Sequence, residues 1–333
     1  MAALRPPWLA CLGGTLIFVL LVSAFLGRSP EPFWTPFSSI WQDDSVYRLV
    51  FHERLPHLIM ALMLGAALST GGYVLQMLSR NPLADPGLLG VPQGAAFGAA
   101  LSILLSQTTP SLLGMRISAI LFAAAAFTLS CLMARRIRIG EWILRLILAG
   151  IIVSAFFTAG IGLLHYSANP AKPLPGIAFW ILGGLGIIGW KEVFYSAVFL
   201  LPALILLYAF RWRLNVLSLE QESAIAVGSL DRERILFAAL AVIAVAAVTA
   251  STGIICWVGL VLPLLARRFF GADASRSLLP AMLGGALFVL ICDDLARVVL
   301  VLPVEIPLGV LTSLLGTITF WISITNWKMR SWK

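Results

Sequence analysis

Few side chains in this 333-residue sequence could do chemistry, and they are scattered. The sequence has three histidines and four cysteines. His52, His57 and His165 are isolated from one another and lack the spacing of a metal-ligand set. The cysteines form no CxxC pair, which argues against a zinc site and a disulfide framework. We therefore predict that the chain has no metal site.

Phosphate-binding and nucleophilic motifs are missing from the sequence as well. The P-loop pattern G-x-x-x-x-G-K-[ST] occurs nowhere. No nucleophile and base pair suggests an intramembrane enzyme. We therefore predict no catalytic residue and no cofactor bound by this chain. If ATP drives its activity, a partner ATPase subunit must use the ATP and Mg²⁺.

Charged residues avoid the apolar segments. An ionisable group at the centre of a membrane helix costs about 2.5–3.5 kcal/mol on insertion scales, so ion-coupled carriers place such groups where they work. Here the acidic residues cluster in loops and at segment ends. This placement disfavours the alternative function, an ion-coupled secondary transporter.

The composition predicts an all-α polytopic membrane protein. The sequence is 60% apolar and only 11% charged, whereas soluble domains carry about 25% charge. Apolar stretches of about 20 residues, enough to span a hydrocarbon core, recur along the chain. We predict one transmembrane domain, residues 1–333, with ten spans at about 8–27, 55–78, 88–106, 115–134, 142–165, 193–210, 235–251, 254–266, 278–296 and 306–326.

The net charge of +8 is a topology signal and not a sign of nucleic-acid binding. Basic residues concentrate in alternate loops, as the positive-inside rule requires. With both termini in the cytoplasm, 16 of the 23 Lys and Arg residues lie inside. Seven then lie outside: Arg28, Arg48, Arg54, Arg116, Lys172, Lys191 and Arg297.

An internal inverted repeat is a further hypothesis. Ser69-Thr70-Gly71 lies late in the second span and Ser251-Thr252-Gly253 late in the seventh. Each triplet follows an apolar run and precedes a break that contains proline. Inverted repeats with broken helices are common in transporters, but three common residues also match by chance.

The region from Arg54 to Leu101 carries the most specific pattern. Its polar hairpin, Arg80-Asn81-Pro82-Leu83-Ala84-Asp85-Pro86, should separate two helices because each proline disfavours helix at the residue before it. This hairpin, with its flanking segments, resembles FecCD-like permease subunits of iron-siderophore, haem and vitamin B12 ABC importers. The flanking segments are Arg54-Leu55-Pro56, Gly65-Ala66-Ala67-Leu68, Gln76 and Leu89-Gly90-Val91.

The resemblance, which extends to about Phe320, implies a type II importer in the bacterial inner membrane. Such a permease takes an iron chelate or a cobalamin-like substrate from a periplasmic binding protein. It implies as partners a second permease copy, identical or similar, two ABC ATPases, the binding protein and the lipid bilayer. It does not decide between siderophore, haem, cobalamin and an oxyanion.

The resemblance also implies roles for residues at both ends of the spans. Arg54, His57 and Arg297 occupy binding-protein docking positions, although the family usually has arginine where this chain has His57. Ordinary interfacial placement of the arginines is the alternative. Asp293 lies four residues before Arg297, so the two can pair on one helix face.

Other implied roles concern the gate and the path. Asn81, Pro82 and Leu83 match the cytoplasmic gate, with a simple turn as the alternative. Small or polar residues of the second span are candidates for the translocation path, with close helix packing as the alternative. These candidates are Gly65, Ser69, Gly72 and Gln76.

Residues 211–234 match the segment that couples the permease to its ATPase. We call these residues the coupling segment. Their hydrophilic character and helical spacing suit a surface piece that lies on the membrane or on a partner. The coupling candidates are Leu217, Ser218, Leu219, Glu220, Ala224 and Gly228, with Glu220 where the family usually has glycine.

Three further positions depart from the family pattern. Gly184 replaces a serine, Leu264 replaces a histidine and Ile318 replaces a proline. The changes at Leu264 and Ile318 bear on the substrate more than on the fold, because neighbouring motifs keep their spacing.

Overall fold

The computed structural model describes residues 7–27, 33–106, 111–138, 140–169, 173–186, 188–219, 231–298 and 306–325. The first half of the chain forms helices α1 (Pro7–Phe25), α2 (Ser39–Gln42), α3 (Asp44–Arg48), α4 (Leu55–Ser79), α5 (Val91–Leu105), α6 (Leu112–Ala134) and α7 (Trp142–Ser167). The second half forms α8 (Pro173–Leu182), α9 (Trp190–Ala209), α10 (Arg211–Leu217), α11 (Asp231–Thr252), α12 (Val258–Phe270), α13 (Ala274–Val298) and α14 (Leu308–Thr325).

The described residues are nearly all helical, which agrees with the prediction of a helical polytopic membrane protein. Among the described residues, eight helices are long and apolar enough to cross a membrane. Two further predicted spans coincide with α5 and α12, which are only 15 and 13 residues long. The total of ten spans, the inverted repeat and the cytoplasmic placement of the termini stay predictions.

Short regular elements precede α4 among the described residues. Strand β1 (Leu26–Gly27) pairs antiparallel with β2 (Phe33–Trp34). A π-helical turn, Leu49–Arg54, then continues directly into α4. Pro56 has no N–H and so could not donate to the preceding turn even in a regular α-helix. The wider π-helical turn therefore loses no hydrogen bond at Pro56.

Helix α8 lies between the predicted spans 142–165 and 193–210, where we predicted no span. The helix starts at Pro173 and runs through an apolar stretch. Proline suits the first turn of a helix, where its missing N–H has no intrahelical partner to lose.

Helix α4 is the central element, because most of its residues are buried. It packs antiparallel along α13 in one constant register, in which the numbers of facing residues sum to 350. Because the facing residues on each helix are separated by multiples of four, they form a single stripe. These pairs are His57 with Asp293, Gly65 with Gly285, Ser69 with Ala281, and Tyr73 with Ser277.

Candidate functional site

An ionic cluster joins the ends of three helices. It consists of Ser23 in α1, His57 in α4, and Asp293, Asp294 and Arg297 in α13. His57 Nε2 lies 2.7 Å from one Asp293 oxygen, and Arg297 Nε donates to the other at 2.9 Å. Arg297 also donates to Asp294 at 2.5 Å, and Ser23 donates to the second Asp294 oxygen at 2.5 Å. The predicted pairing of Asp293 with Arg297 is confirmed.

Burial explains why this cluster needs so many partners. The side chain of Asp293 is only 3% exposed, and that of Arg297 is 13% exposed. Removing one member of a buried ion pair leaves an uncompensated charge, which typically costs about 3–5 kcal/mol. The cluster therefore fixes the relative positions of α1, α4 and α13 at this end of the molecule.

Arg54 lies beside this cluster and is also buried. Its guanidinium donates to Thr35 Oγ1 at 2.9 Å and to the Ala24 carbonyl at 3.4 Å. Gly27 leaves the space for it, because a Cβ there would overlap the guanidinium. Arg297 reaches the same strand through the Leu26 carbonyl, at 3.1 Å.

The three docking candidates thus lie close together at one end of the α4 and α13 pair, as the resemblance implied. They are Arg54, His57 and Arg297. All three are engaged in contacts within the chain. Their docking role stays a prediction.

The hairpin of residues 80–86 interrupts the helices where the sequence predicted. Helix α4 stops at Arg80, whose φ of 52° is left-handed. The Asn81 side chain accepts a hydrogen bond from the backbone N–H of Leu83 at 2.9 Å, which closes a local Asx turn. Leu83 is 52% exposed. The gate role of Asn81, Pro82 and Leu83 stays a prediction.

Asp85 turns inward from this hairpin. Its Oδ1 accepts the N–H of Gly87 at 2.8 Å and caps a 3₁₀ turn, Pro86–Leu89. Its second oxygen faces Gly259 at the start of α12, where a Cβ would approach that oxygen to 2.8 Å. Burial raises the pKa of Asp85.

The four path candidates in α4 all lie at helix contacts within this chain. A Cβ on Gly65 would overlap the backbone of Gly285, and one on Gly72 would overlap the Gly259 carbonyl. Ser69 Oγ donates to the Ala281 carbonyl at 2.7 Å. These contacts are those of the packing alternative, and a role in a path between two copies stays a prediction.

The fourth candidate, Gln76, compensates for a proline in another helix. Pro263 lies inside α12 and cannot donate to the carbonyl of Gly259, four residues earlier. Gln76 Nε2 donates to that carbonyl at 3.3 Å and to the Leu260 carbonyl at 3.0 Å. Arg267 in turn donates to Gln76 Oε1. Sequence reasoning missed this function; the only signal for it was a proline inside an apolar span.

The described part of the coupling segment is tied to α13. Leu214 and Leu217 of α10 are buried, and Asn215 bonds to the N-terminus of α13. Ser218 Oγ donates to the Asn215 carbonyl at 2.8 Å, whereas Leu219 is exposed. The remaining coupling candidates, Glu220, Ala224 and Gly228, lie outside the described residues.

A metal or cofactor site would need converging ligands. In the ranges that the structure describes, no three His, Cys, Asp or Glu side chains are close enough to hold a metal ion. The polar groups instead stabilise helix junctions at the two ends of the α4 and α13 pair.

Comparison with known proteins places these features in a family. The sequence profile of the FecCD transport family matches residues 15–326. The haemin transport system permease protein HmuU of Yersinia pestis is 36% identical over 96% of this chain and 96% of its own length. The molybdate import system permease protein MolB of Haemophilus influenzae is 36% identical over 95% of both chains.

The fold agrees with a solved structure described as a metal-chelate type ABC transporter in an inward-facing conformation. That structure matches with a TM-score of 0.87 at 34% identity and covers 97% of this chain and 100% of its own. The profile and the relatives extend over nearly the whole sequence. This chain belongs to the FecCD transport family.

Proposed function

We propose that this chain is the permease subunit of an ATP-driven importer for a metal chelate or a cobalamin-like compound. The observation that carries the proposal is similarity along nearly the full length, both to a metal-chelate type transporter and to a haemin permease. The absence of a P-loop from the sequence agrees with ATP hydrolysis in a partner subunit.

The same family membership supports the following assembly. Two permease copies stand side by side in the bacterial inner membrane with ten spans each and both termini in the cytoplasm. Two ATPases contact the coupling segments, and a binding protein delivers the substrate at the end that carries Arg54, His57 and Arg297. Substrate passes between the two copies, past Gly65, Ser69, Gly72 and Gln76 in α4, to the gate at Asn81, Pro82 and Leu83.

The relatives differ in what they carry. HmuU is described as a haemin permease and MolB as a molybdate permease, at the same 36% identity to this chain. We place the substrate among metal chelates because of the fold agreement with a metal-chelate type transporter. Molybdate is therefore a required competitor in any substrate test.

Reconstitution tests the proposal. The chain is assembled in lipid with its ATPase and binding protein, and ATP hydrolysis is measured with haemin, a ferric siderophore, cyanocobalamin or molybdate. We expect the binding protein loaded with one chelate to stimulate hydrolysis. Stimulation by molybdate alone would overturn the substrate assignment, and failure to assemble with any ATPase would overturn the function.

A further inference from the structure

We propose that Asn215 is a positioning residue that fixes the coupling segment to the N-terminus of α13, so that α13 transmits movement between the two faces of the membrane. This inference rests on the proposed function. It adds a residue outside the coupling candidates derived from the resemblance, and it assigns that residue a mechanical role.

Asn215 makes two hydrogen bonds to consecutive residues of the α13 N-terminus. Its Nδ2 donates to Asp273 Oδ1 at 2.7 Å, and its Oδ1 accepts the backbone N–H of Ala274 at 2.8 Å. The Ala274 N–H can only donate, which fixes the orientation of the amide. Asn215 thereby satisfies one of the N–H groups that a helix start leaves without an intrahelical partner.

Asp273 completes this junction. Its Oδ1 also accepts the backbone N–H of Ser275 at 2.8 Å, so Asp273, which directly precedes α13, caps the start of that helix. Burial opposes its ionisation, but hydrogen bonds from Ser275 and Asn215 lower the pKa of Asp273 overall. The carboxylate therefore stays charged and strengthens the bond from the Asn215 amide.

Further contacts hold α10 against its neighbours. Arg211 Nε donates to the Ser275 carbonyl at 3.3 Å. Arg213 pairs with Glu233 at the start of α11, at 2.5 Å. Helix α10 thus lies between the first turns of α11 and α13, with its two buried leucines inward. Of the three α10 residues Arg211, Arg213 and Asn215, Asn215 is the one that bonds to Asp273, the cap of α13.

Helix α13 is built to carry displacement. It has 25 residues, roughly 37 Å at 1.5 Å per residue. The contact pairs whose residue numbers sum to 350 hold α13 against α4 in one register. Close packing of small residues leaves little room for α13 to slide along α4. The ionic cluster holds its far end. We therefore expect a shift of α10 to move α13 together with α4, and with them the end of the helix pair where the docking candidates lie.

The test compares variants in the full complex of permease, ATPase and binding protein. The readout is the ratio of ATP hydrolysis with excess binding protein to hydrolysis without it, with haemin, ferric siderophore, cyanocobalamin and molybdate as probes. Allosteric couplings are commonly 5–150-fold. We expect Asn215→Ala to lower the ratio about five-fold or more while the complex still assembles.

Two further variants separate positioning from general stability. Asn215→Asp keeps the acceptor for Ala274 but opposes the Asp273 carboxylate, so it should lower the ratio most. Asp273→Asn keeps the oxygen that accepts from both Ser275 and Asn215, so it should change the ratio little. The ratio is measured well below the melting temperature of each complex, so that a loss of stability alone does not lower it.

Thr128→Ala is the control, because Thr128 is exposed and, within the part of the chain that the structure describes, bonds only to the Ala124 carbonyl of its own helix. A wild-type ratio in Asn215→Ala would overturn the inference. So would a wild-type ratio in Asn215→Asp. If the wild-type complex shows no stimulated hydrolysis with any probe, the proposed function fails instead, so the two failures are distinguishable.

Discussion

At the residue scale, polar side chains repair backbone that prolines and helix ends leave unpaired. Gln76 serves carbonyls of α12 near Pro263, Asn81 closes the hairpin turn, and Asn215 caps α13. Gln76 is buried among the helices, where no water replaces a missing partner, so its bonds allow α12 to continue past Pro263.

Gln76→Leu should destabilise the protein by about 1–3 kcal/mol, because it leaves two carbonyls and the Arg267 guanidinium without the Gln76 bonds. Thermal unfolding in detergent measures this loss. Gln93→Leu is the matched control: Gln93 Oε1 is buried and has no hydrogen-bond partner among the described residues, so its removal should be neutral or stabilising. Equal losses in both variants would contradict the account of Gln76.

Asp85→Asn should stabilise the protein at pH 7. Burial raises the pKa of Asp85 above its ordinary 3.8, so the folded state holds the proton more tightly than the unfolded state. Stability is therefore lost as pH rises from 3.8 through the raised pKa, and it stays lost above that range. Asparagine keeps the acceptor for Gly87 but cannot ionise.

Unfolding measured from pH 4 to pH 8 tests this sign. The advantage of Asp85→Asn should shrink as the pH falls. Asp43 is the control of opposite sign, because hydrogen bonds from Ser45 lower its pKa. Asp43→Asn should lose stability relative to wild type above pH 4. An advantage of Asp85→Asn that grows on acidification would contradict the assignment.

The sequence predicted the local part of these contacts and not the distant part. Asn-Pro and Asp-Pro specify a turn through neighbours two residues away, so the hairpin was predictable. The partners of Gln76 lie 183 and 184 residues further along the chain. No local pattern encodes that meeting, because it depends on how α4 and α12 cross.

At the element scale, the pairing of α4 with α13 organises the fold. Close helix packing by the small residues of α4 could be anticipated from the sequence. Their register against α13 could not, because neither helix alone specifies its partner. Elements of ordinary length were found by hydropathy. Helix α8 was missed because, at ten residues, it is too short to give a span signal.

Adjacent glycines of α13 test this packing. A Cβ on Gly285 would overlap the Gly65 carbonyl, whereas one on Gly284 would lie 3.7 Å from Leu262 Cδ1, an ordinary contact. Gly285→Ala should destabilise by about 1–3 kcal/mol through overpacking. Gly284→Ala should be neutral or gain about 0.5–1 kcal/mol through helix propensity. Thermal unfolding of both variants decides, and equal behaviour would contradict the register.

At the scale of the whole molecule, a polar junction lies at each end of the α4 and α13 pair. The ionic cluster closes one end, and the contact of the coupling segment with α13 closes the other. Charge placement alone predicts which end faces the cytoplasm. A reporter that is active only in the cytoplasm should therefore be active when it is fused to the C-terminus. Activity of a reporter that works only outside the cytoplasm would invert the predicted topology, and the ionic cluster would then face the cytoplasm.

Uptake into proteoliposomes tests the central claim most directly. Vesicles that contain the permease and its ATPase are given loaded binding protein outside and either ATP inside or an imposed proton or sodium gradient. We predict that substrate accumulates when ATP is present without an ion gradient. We also predict that an ion gradient can neither replace ATP nor increase the accumulation that ATP drives. Accumulation driven by an ion gradient without ATP, ATPase or binding protein would contradict the account and establish a secondary transporter.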